Sequence, residues 1–224
     1  MKKVLSIVIP VYNKYAFTRS CLNDLSKLPD DHEIIVVDNG STDETQKELE
    51  NNKRIVYLRN NDNRGFAFAC NSGYNVATAP NVLFLNNDIR VKSNYTDWTA
   101  DLIKWAPTVL VGPTMGQLDK DLNFVQEGNR LLTGNSYMSG WCLASSKEIW
   151  NKLIIDNYKG PFSEEYFCYF EDTDLSFRAK KLKIGTLVVD VPVVHFGKQT
   201  SSQLNVHKLY TEARKIFVKK WGAK

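Results

Sequence analysis

The sequence has little of what several common classes of protein require. Its four cysteines form no CxxC pair, and with only three histidines it offers no zinc-finger spacing. No apolar run approaches the roughly 20 residues that span a bilayer. The apolar stretch after Met1 is interrupted by Pro10 and Asn13 and lacks a cleavage site of small residues, which is not typical of a signal peptide. We therefore predict a cytoplasmic protein with buried, reduced thiols.

The sequence has no large excess of charge of one sign. The formal net charge is +4, and no arginine-rich stripe is present. A mild positive charge is compatible with an anionic ligand, but it does not indicate nucleic acid, and we expect no nucleic-acid partner. With 224 residues, 43% of them hydrophobic, the chain is suited to one domain with a sizeable core.

The first half of the sequence alternates two kinds of pattern. Short apolar runs rich in β-branched residues predict buried strands, and they are separated by segments with helical spacing of apolar residues. The predicted strands are 5–11, 33–38, 54–59, 81–85 and 109–111. Three of the predicted helices are 17–28, 65–77 and 95–105. Another helix is predicted to begin at a capping box formed by Ser41 and Glu44. This order predicts an α/β fold with a mostly parallel sheet and helices on both faces.

The second half is less regular. Residues 117–139 predict a hairpin or loops, 137–144 a strand, and 186–194 another β-rich run. Helices are predicted from Ser146, over 172–182 and over 204–221. The last of these is basic and amphipathic, so it is either a packed helix with a solvated face or a contact with an anionic membrane.

Polar residues follow three of the predicted parallel strands. They are Tyr12 and Asn13, then 38–41, then Asn86, Asn87 and Asp88. In open parallel sheets ligands bind outside the carboxyl ends of the strands, and these ends share one edge. A single Asp there is as readily a turn residue. Three clusters at one edge favour a binding site.

Further candidate chemistry follows Tyr166–Phe170. Glu171, Asp172 and Asp174 come directly after this aromatic stretch. They either stabilise a helix N-terminus or, against apolar rings, have raised pKa values that suit a general base. His195 ends a β-rich run, and a polar loop with Lys198 follows it, which suits a diphosphate.

Together these segments resemble the family 2 glycosyltransferases of the GT-A fold, especially small rhamnosyltransferase-like members. The resemblance covers residues 4–203, and its motifs occur in the family's order. They are SIVIPVYN (6–13), VVDNGSTDET (36–45), NRGFAFACNSG (63–73), FLNNDI (84–89), YFEDTDLSFRAKK (169–181) and VVHFGKQTS (193–201). The resemblance implies one domain over 1–224, with a nucleotide-binding half to about 112, a smaller mixed acceptor and catalytic half over 113–203, and a C-terminal helix over 204–224.

The resemblance also implies an activity. It is inverting transfer of a sugar from a nucleotide-diphosphate donor, with UDP or dTDP favoured, to a hydroxyl of a glycan, glycolipid or glycoprotein, as in polysaccharide biosynthesis. On the donor side, the resemblance implies a nucleoside pocket at Pro10, Tyr12 and Asp38, and residues that border the nucleotide at Gly65, Asn71 and Asn87. It also implies a diphosphate contact at Lys198 and ligands of Mn²⁺ or Mg²⁺ at Asp88 and His195. On the acceptor side, it implies that Asp172 is the catalytic base, with Glu171 beside it.

One departure from the family pattern concerns the metal. Asn86, Asn87 and Asp88 supply a single carboxylate, which makes a contribution from His195 more important. Mg²⁺ commonly binds through one or two carboxylates plus phosphates, whereas an imidazole ligand favours Mn²⁺. We expect metal binding to depend on the donor diphosphate.

Alternative interpretations remain. A catalytically inactive module that binds a nucleotide sugar or glycan would carry the same fold. A sugar nucleotidyltransferase would need a Gly-rich, basic loop after the first strand, where Tyr12–Tyr15 stands instead, and a dinucleotide enzyme would need GxGxxG. Trp141 suits either stacking on a sugar or core packing.

Overall fold

Strands and helices alternate along the residues that the computed structural model describes, namely 2–92, 95, 97–155, 158–197 and 205–222. The strands are β1 (Leu5–Val11), β2 (His32–Asp38), β3 (Val56–Arg59), β4 (Asn81–Leu85), β5 (Ile89–Val91), β6 (Val109–Gly112), β7 (Met115–Leu118), β8 (Phe124–Gly128), β9 (Ser136–Met138), β10 (Cys142–Ser146), β11 (Gly185–Val188) and β12 (Val193–His195). The helices are α1 (Tyr15–Leu25), α2 (Thr45–Leu49), α3 (Phe66–Val76), α4 (Ala100–Trp105), α5 (Lys147–Leu153), α6 (Glu171–Lys181) and α7 (Val206–Trp221).

The central sheet has seven strands in the order β11-β6-β10-β4-β1-β2-β3. Strand β1 pairs in parallel with β2 and β4, and β11 pairs in parallel with β6. Strand β10 runs antiparallel to both β4 and β6, so it separates the fifth predicted strand from the first four. The predicted α/β fold with a mostly parallel sheet is confirmed.

Alternation of side chains along β1 builds a core on each face of the sheet. Ile7 and Ile9 pack with residues of α1 and α4, whereas Val8 packs with residues of α3, α5 and α6. Since successive side chains of a strand point to opposite faces, a continuous apolar run such as β1 requires cover on both sides. The predicted helices on both faces are therefore present.

The second half differs from its prediction in detail. The predicted strand 137–144 is two strands, β9 and β10, separated by a turn at Gly140. The segment 117–139 contributes to a three-stranded sheet in the order β8-β7-β9, and the run 186–194 splits into β11 and β12. Strand β12 leaves the central sheet and pairs antiparallel with β5. Each split occurs where the chain turns between two sheets, which local β propensity does not encode.

Two predicted helix starts are wrong. The capping box at Ser41 and Glu44 does not form, because the Ser41 hydroxyl accepts a hydrogen bond from the Asn13 amide at 2.7 Å. Helix α2 begins at Thr45, whose amide donates to Asp43 at 3.1 Å. Helix α4 begins at Ala100, five residues later than predicted, and residues 93, 94 and 96 lie outside the described part.

The C-terminal helix α7 is packed through its apolar side. Phe217 is fully buried, in a cluster with Phe170 of the loop before α6 and Leu118 of β7. This confirms the interpretation as a packed helix with a solvated face. Membrane contact through the remaining basic side chains stays a prediction. Among the described residues, no helix is long and apolar enough to cross a membrane.

Candidate functional site

A cavity of about 920 Å³ opens at the carboxyl ends of β1, β2 and β4. Its volume is in the range of small-molecule sites. The predicted site residues in its wall are Pro10, Tyr12, Gly65, Asn87, Asp88, Glu171, Asp172 and His195. Residues from both halves of the chain therefore meet in one cavity, whereas the strand-end argument concerned residues of the first half alone.

Asp38 is not among the residues that line the cavity, although it ends β2. Its carboxylate is fully buried and accepts hydrogen bonds from the Ser41 amide at 2.8 Å, the Tyr57 hydroxyl at 2.6 Å and the Arg59 guanidinium. These donors hold the turn after β2. The following residue, Asn39, lines the cavity instead. The predicted contact of Asp38 with a pyrimidine gains no support from this arrangement.

Asn71 also lies behind the cavity wall. Its side-chain amide donates to the carbonyl of Phe162 and to Glu164, both at 2.9 Å, and its oxygen accepts from the Phe162 amide at 3.0 Å. It thus clamps the segment that leads into the aromatic stretch, and does not border the cavity. The predicted diphosphate contact, Lys198, lies outside the described residues.

The predicted metal ligands are brought together by strand pairing. His195 lies opposite Ile89 in the β5–β12 pair, next to Asp88. The imidazole Nε2 is 3.1 Å from Oδ1 of Asp88, and the side chain of Asp88 is only 5% exposed. The Phe196 amide donates to the carbonyl of Asp88 at 2.9 Å, which fixes the strand ends together.

The neighbouring asparagines have different partners. Asn87 donates to the Thr18 hydroxyl of α1 at 2.9 Å, which ties the β4 end to that helix. The side-chain nitrogen of Asn86 lies 3.3 Å from Nε2 of His195, while its buried oxygen has no hydrogen-bond partner.

These three atoms fit a divalent cation whose coordination shell is completed by a bound ligand or water. One carboxylate oxygen, one imidazole nitrogen and an unpaired amide oxygen are donors that Mn²⁺ and Mg²⁺ accept. The described part of the chain contains no cluster of three or more His, Cys, Asp or Glu that could hold a metal alone. A bound diphosphate or water would have to supply further ligands.

Glu171 and Asp172 begin α6 and line another part of the cavity wall. Oδ2 of Asp172 accepts a hydrogen bond from the Gly140 amide at 2.9 Å, and Oδ1 accepts from the Thr173 amide at 2.6 Å. Oε2 of Glu171 is buried without a partner. Burial raises the pKa of both carboxyls, and the charge of Asp172 raises the pKa of Glu171 further. A carboxylate with a raised pKa is a stronger base than an ordinary one.

The third acid of this segment has a structural role. Asp174 is fully buried and accepts from Nε of Arg178 at 2.9 Å and from the Trp221 indole at 2.8 Å. Lys220 forms an ion pair with it at 2.8 Å. Asp174 therefore fastens α7 to α6, facing away from the cavity that Asp172 lines.

The sequence argument missed several residues of the wall. Glu127 of β8 lies near Asp172, together with the aromatic side chains Phe124 and Tyr137, and α7 contributes His207 and Tyr210. The Glu127 carboxylate accepts from the Ser139 hydroxyl at 2.6 Å. No local signal marked this Glu, because its segment of Gly, Asn and Asp residues has no clear periodicity.

Gly65 permits a close approach at the cavity wall. Its φ is +90°, and a Cβ there would lie 2.4 Å from the carbonyl oxygen of Phe167. The same oxygen accepts a hydrogen bond from the Phe66 amide at 2.8 Å. The N-terminus of α3 is thus docked on the aromatic stretch.

We expect Gly65→Ala to lower the free energy of unfolding by at least about 2 kcal/mol, because both the backbone conformation and the contact are unfavourable for a side chain. Urea unfolding measures this. Gly128→Ala is the matched control, since a Cβ at Gly128 meets nothing within 4 Å. Equal effects of the two substitutions would contradict the close approach.

Comparison with known proteins identifies the family of this chain. The model of glycosyl transferase family 2 matches residues 6–159. Validoxylamine A glucosyltransferase of Streptomyces hygroscopicus subsp. limoneus is 36% identical over 100 residues, which are 41% of this chain and 22% of that protein. Glycosyltransferase GlyA of Streptococcus pneumoniae serotype 4 is 33% identical over 98 residues, 42% of this chain and 14% of that protein. The matched segments thus span less than a quarter of either relative.

Solved structures share the fold. Mannosyltransferase PcManGT from Pyrobaculum calidifontis, in complex with GDP-Man and Mn²⁺, has a TM-score of 0.60 at 18% identity, over 84% of this chain and 55% of its own. GalNAc-T7 with UDP, GalNAc and Mn²⁺ has a TM-score of 0.68 at 16% identity, over 86% of this chain and 43% of its own. Since the family model covers well over half of the residues, the chain belongs to glycosyl transferase family 2, and its fold is the GT-A fold.

Proposed function

We propose that this domain transfers a sugar, with inversion, from a nucleotide-diphosphate donor to an acceptor hydroxyl. One observation carries the proposal. A single cavity holds the Asp88–His195 pair on one wall and the Glu171–Asp172 pair on another. The first pair suits a cation beside a diphosphate, and the second suits a base beside a hydroxyl.

The charge of the cavity supports a metal-dependent donor. The described residues that line the cavity include four acids, Asp88, Glu127, Glu171 and Asp172. They include no Lys and no Arg. An anionic diphosphate would be repelled by these carboxylates without a cation. Mn²⁺ or Mg²⁺ would be held by Asp88 and His195. Such an ion, when bound, acts as a Lewis acid that stabilises the charge developing on the leaving diphosphate.

On the acceptor side, Asp172 is the proposed base. Its carboxylate takes the proton of the acceptor hydroxyl as that oxygen bonds to the anomeric carbon and the bond to the diphosphate oxygen breaks. A single displacement of this kind inverts the anomeric centre. The amides of Gly140 and Thr173 orient the carboxylate, and each oxygen keeps lone-pair capacity for the incoming proton. Glycans, glycolipids and glycoproteins are the proposed acceptors.

Nucleotide binding tests the donor half of the proposal. We expect UDP or dTDP at about 100 times its dissociation constant to stabilise the protein by about 2.7 kcal/mol, and only with Mn²⁺ present. Thermal unfolding with UDP, dTDP, GDP, CDP and ADP, each with and without Mn²⁺, measures this. GDP is included because the preference for a pyrimidine rested on Asp38, which lies behind the wall.

The variants Asp88→Asn and His195→Ala should remove the metal-dependent shift, while Asp101→Asn, at an exposed position of α4, should retain it. A nucleotide that stabilises the protein equally without metal would contradict the proposed metal pair. If no nucleotide shifts the unfolding under either condition, the proposal of an active transferase fails.

The alternative is an inactive module that binds a nucleotide sugar. Such a module would show the metal-dependent shift but no slow hydrolysis of the donor. The placement of Asp172 in the same cavity as Asp88 and His195 favours the enzyme. A sugar nucleotidyltransferase is disfavoured, because Tyr12–Tyr15 follow the first strand where such an enzyme would need a Gly-rich, basic loop.

A further inference from the structure

We infer that Trp141 is a positioning residue for His195, and that the turn containing Trp141 sets the geometry between the two walls of the cavity. This inference rests on the proposed metal-dependent function. Trp141 stands in the turn between β9 and β10, and its ring is stacked on the His195 imidazole with centroids 4.6 Å apart and planes 11° apart. A flat contact of this kind fixes the plane in which Nε2 faces Asp88.

The indole is itself held at its edge. Its N–H donates to the Thr114 hydroxyl at 2.8 Å, and that hydroxyl lies 3.3 Å from Oε1 of Glu127. A threonine hydroxyl has one proton, so it accepts from Trp141 and donates to Glu127 without conflict. The backbone is held as well, since the Asn86 amide donates to the Trp141 carbonyl at 2.8 Å. The stacking on His195 and the hydrogen bond to Thr114 therefore hold the ring, and the Asn86 amide holds the backbone that carries it.

The residues of this turn each contact a different functional group. The Ser139 hydroxyl donates to Glu127 at 2.6 Å, the Gly140 amide donates to Asp172 at 2.9 Å, and Trp141 stacks on His195. A displacement of the turn would move the acceptor-side carboxylate and the imidazole together. The face of the indole that meets His195 is not available for a sugar, which limits the predicted sugar stacking to what the rest of the ring exposes.

Mn²⁺ affinity of the protein in the presence of UDP tests the inference, measured as free Mn²⁺ by electron paramagnetic resonance. Partners that orient metal ligands typically change affinity by about 10- to 100-fold when they are removed. We expect a Kd for Mn²⁺ raised by about this factor in Trp141→Leu. Trp141→Phe keeps a flat ring but loses the N–H that donates to Thr114, so its Kd should rise only several-fold, less than that of Trp141→Leu. Trp105→Leu, a half-exposed tryptophan away from the cavity, should have no effect.

A double-mutant cycle separates the inference from the proposed function. Trp141 acts through His195, so adding Trp141→Leu to His195→Ala should weaken Mn²⁺ binding no further than His195→Ala alone. If His195→Ala leaves Mn²⁺ affinity unchanged, the proposed metal pair is wrong. If His195→Ala weakens binding but Trp141→Leu does not, or if the two effects add, the positioning role is overturned.

Thr114→Val covers the case in which Trp141→Leu does not fold, as judged by circular dichroism and the unfolding temperature. Valine keeps the shape of threonine but cannot accept the indole N–H, so the ring loses its edge contact, and the 3.3 Å contact of the hydroxyl with Glu127 is lost as well. We expect a Mn²⁺ Kd raised several-fold, with the unfolding transition retained. The inference would also be overturned if Thr114→Val left the Kd for Mn²⁺ unchanged while His195→Ala weakened Mn²⁺ binding.

Discussion

Asp172→Asn is expected to lower the rate of sugar transfer by about 10²–10⁴-fold, because an amide cannot accept the proton of the acceptor hydroxyl. The side-chain volume is nearly unchanged, and the amide oxygen can still accept from Gly140. Nucleotide binding with Mn²⁺ should therefore persist. Release of the nucleoside diphosphate from the donor, with acceptor or slowly with water, measures the rate.

The pH dependence gives a second readout of the same base. Burial raises the pKa of Asp172, and the charge of Glu127 raises it further. The base works only when ionised, so kcat/KM should rise with pH through an apparent pKa above the roughly 3.9 of an ordinary Asp. This apparent value belongs to the coupled Glu171–Asp172 pair.

Two results would contradict the role of Asp172. Normal transfer by Asp172→Asn would remove it as the base and direct attention to Glu171, whose buried Oε2 has no partner. Loss of nucleotide binding together with transfer would show that the substitution disturbs the site as a whole. Asp101→Asn, at an exposed position of α4, is the control for a change of charge alone.

Asp174→Ala is expected to lower the free energy of unfolding by about 3–5 kcal/mol. The substitution leaves Arg178, whose side chain is 4% exposed, without its carboxylate, and it removes the acceptor of the Trp221 indole. The cost is that of uncompensated buried donors and charge rather than the net value of the ion pair. Urea unfolding followed by circular dichroism measures it.

Glu212→Ala is the matched control. Glu212 forms an ion pair with Lys208 on the same helix α7, but the side chains are 56% and 68% exposed. Surface pairs of this kind contribute about 0–1 kcal/mol. A loss below about 1 kcal/mol for Asp174→Ala would mean that α7 is not fastened to α6 through this carboxylate.

The elements with strong local patterns were predictable. The apolar run of β1 must be covered on both faces, and β2 and β4 carry the same signal, so the alternating order required a parallel sheet. The carboxyl ends of such strands share an edge, and Tyr12 and Asp88, which follow β1 and β4, line one cavity there. The strand boundaries in the second half were not predictable, because they lie where the chain passes from one sheet to another, as between β9 and β10 and between β11 and β12.

The acidic segment shows where local reasoning stops. Asp172 and Asp174 are two residues apart and of one chemical type, yet the first lines the cavity and the second is buried against Arg178 and Trp221. Helical geometry turns these side chains to different faces, and which face meets the cavity depends on how α6 packs. Asp38 and Asn39 at the end of β2 differ in the same respect, since Asn39 lines the cavity and Asp38 is buried behind its wall.

The family resemblance, the alternating α/β order and the edge of the sheet at which ligands would bind follow from periodicities and motifs within short segments, so they can be recognised in the sequence. Which polar residues meet depends on how remote segments pack. His195 and Asp88 are 107 residues apart and become neighbours through the β5–β12 pairing. Glu127 and Trp141 reach the site because packing brings separate sheets together, and contacts between remote segments depend on this packing rather than on local sequence.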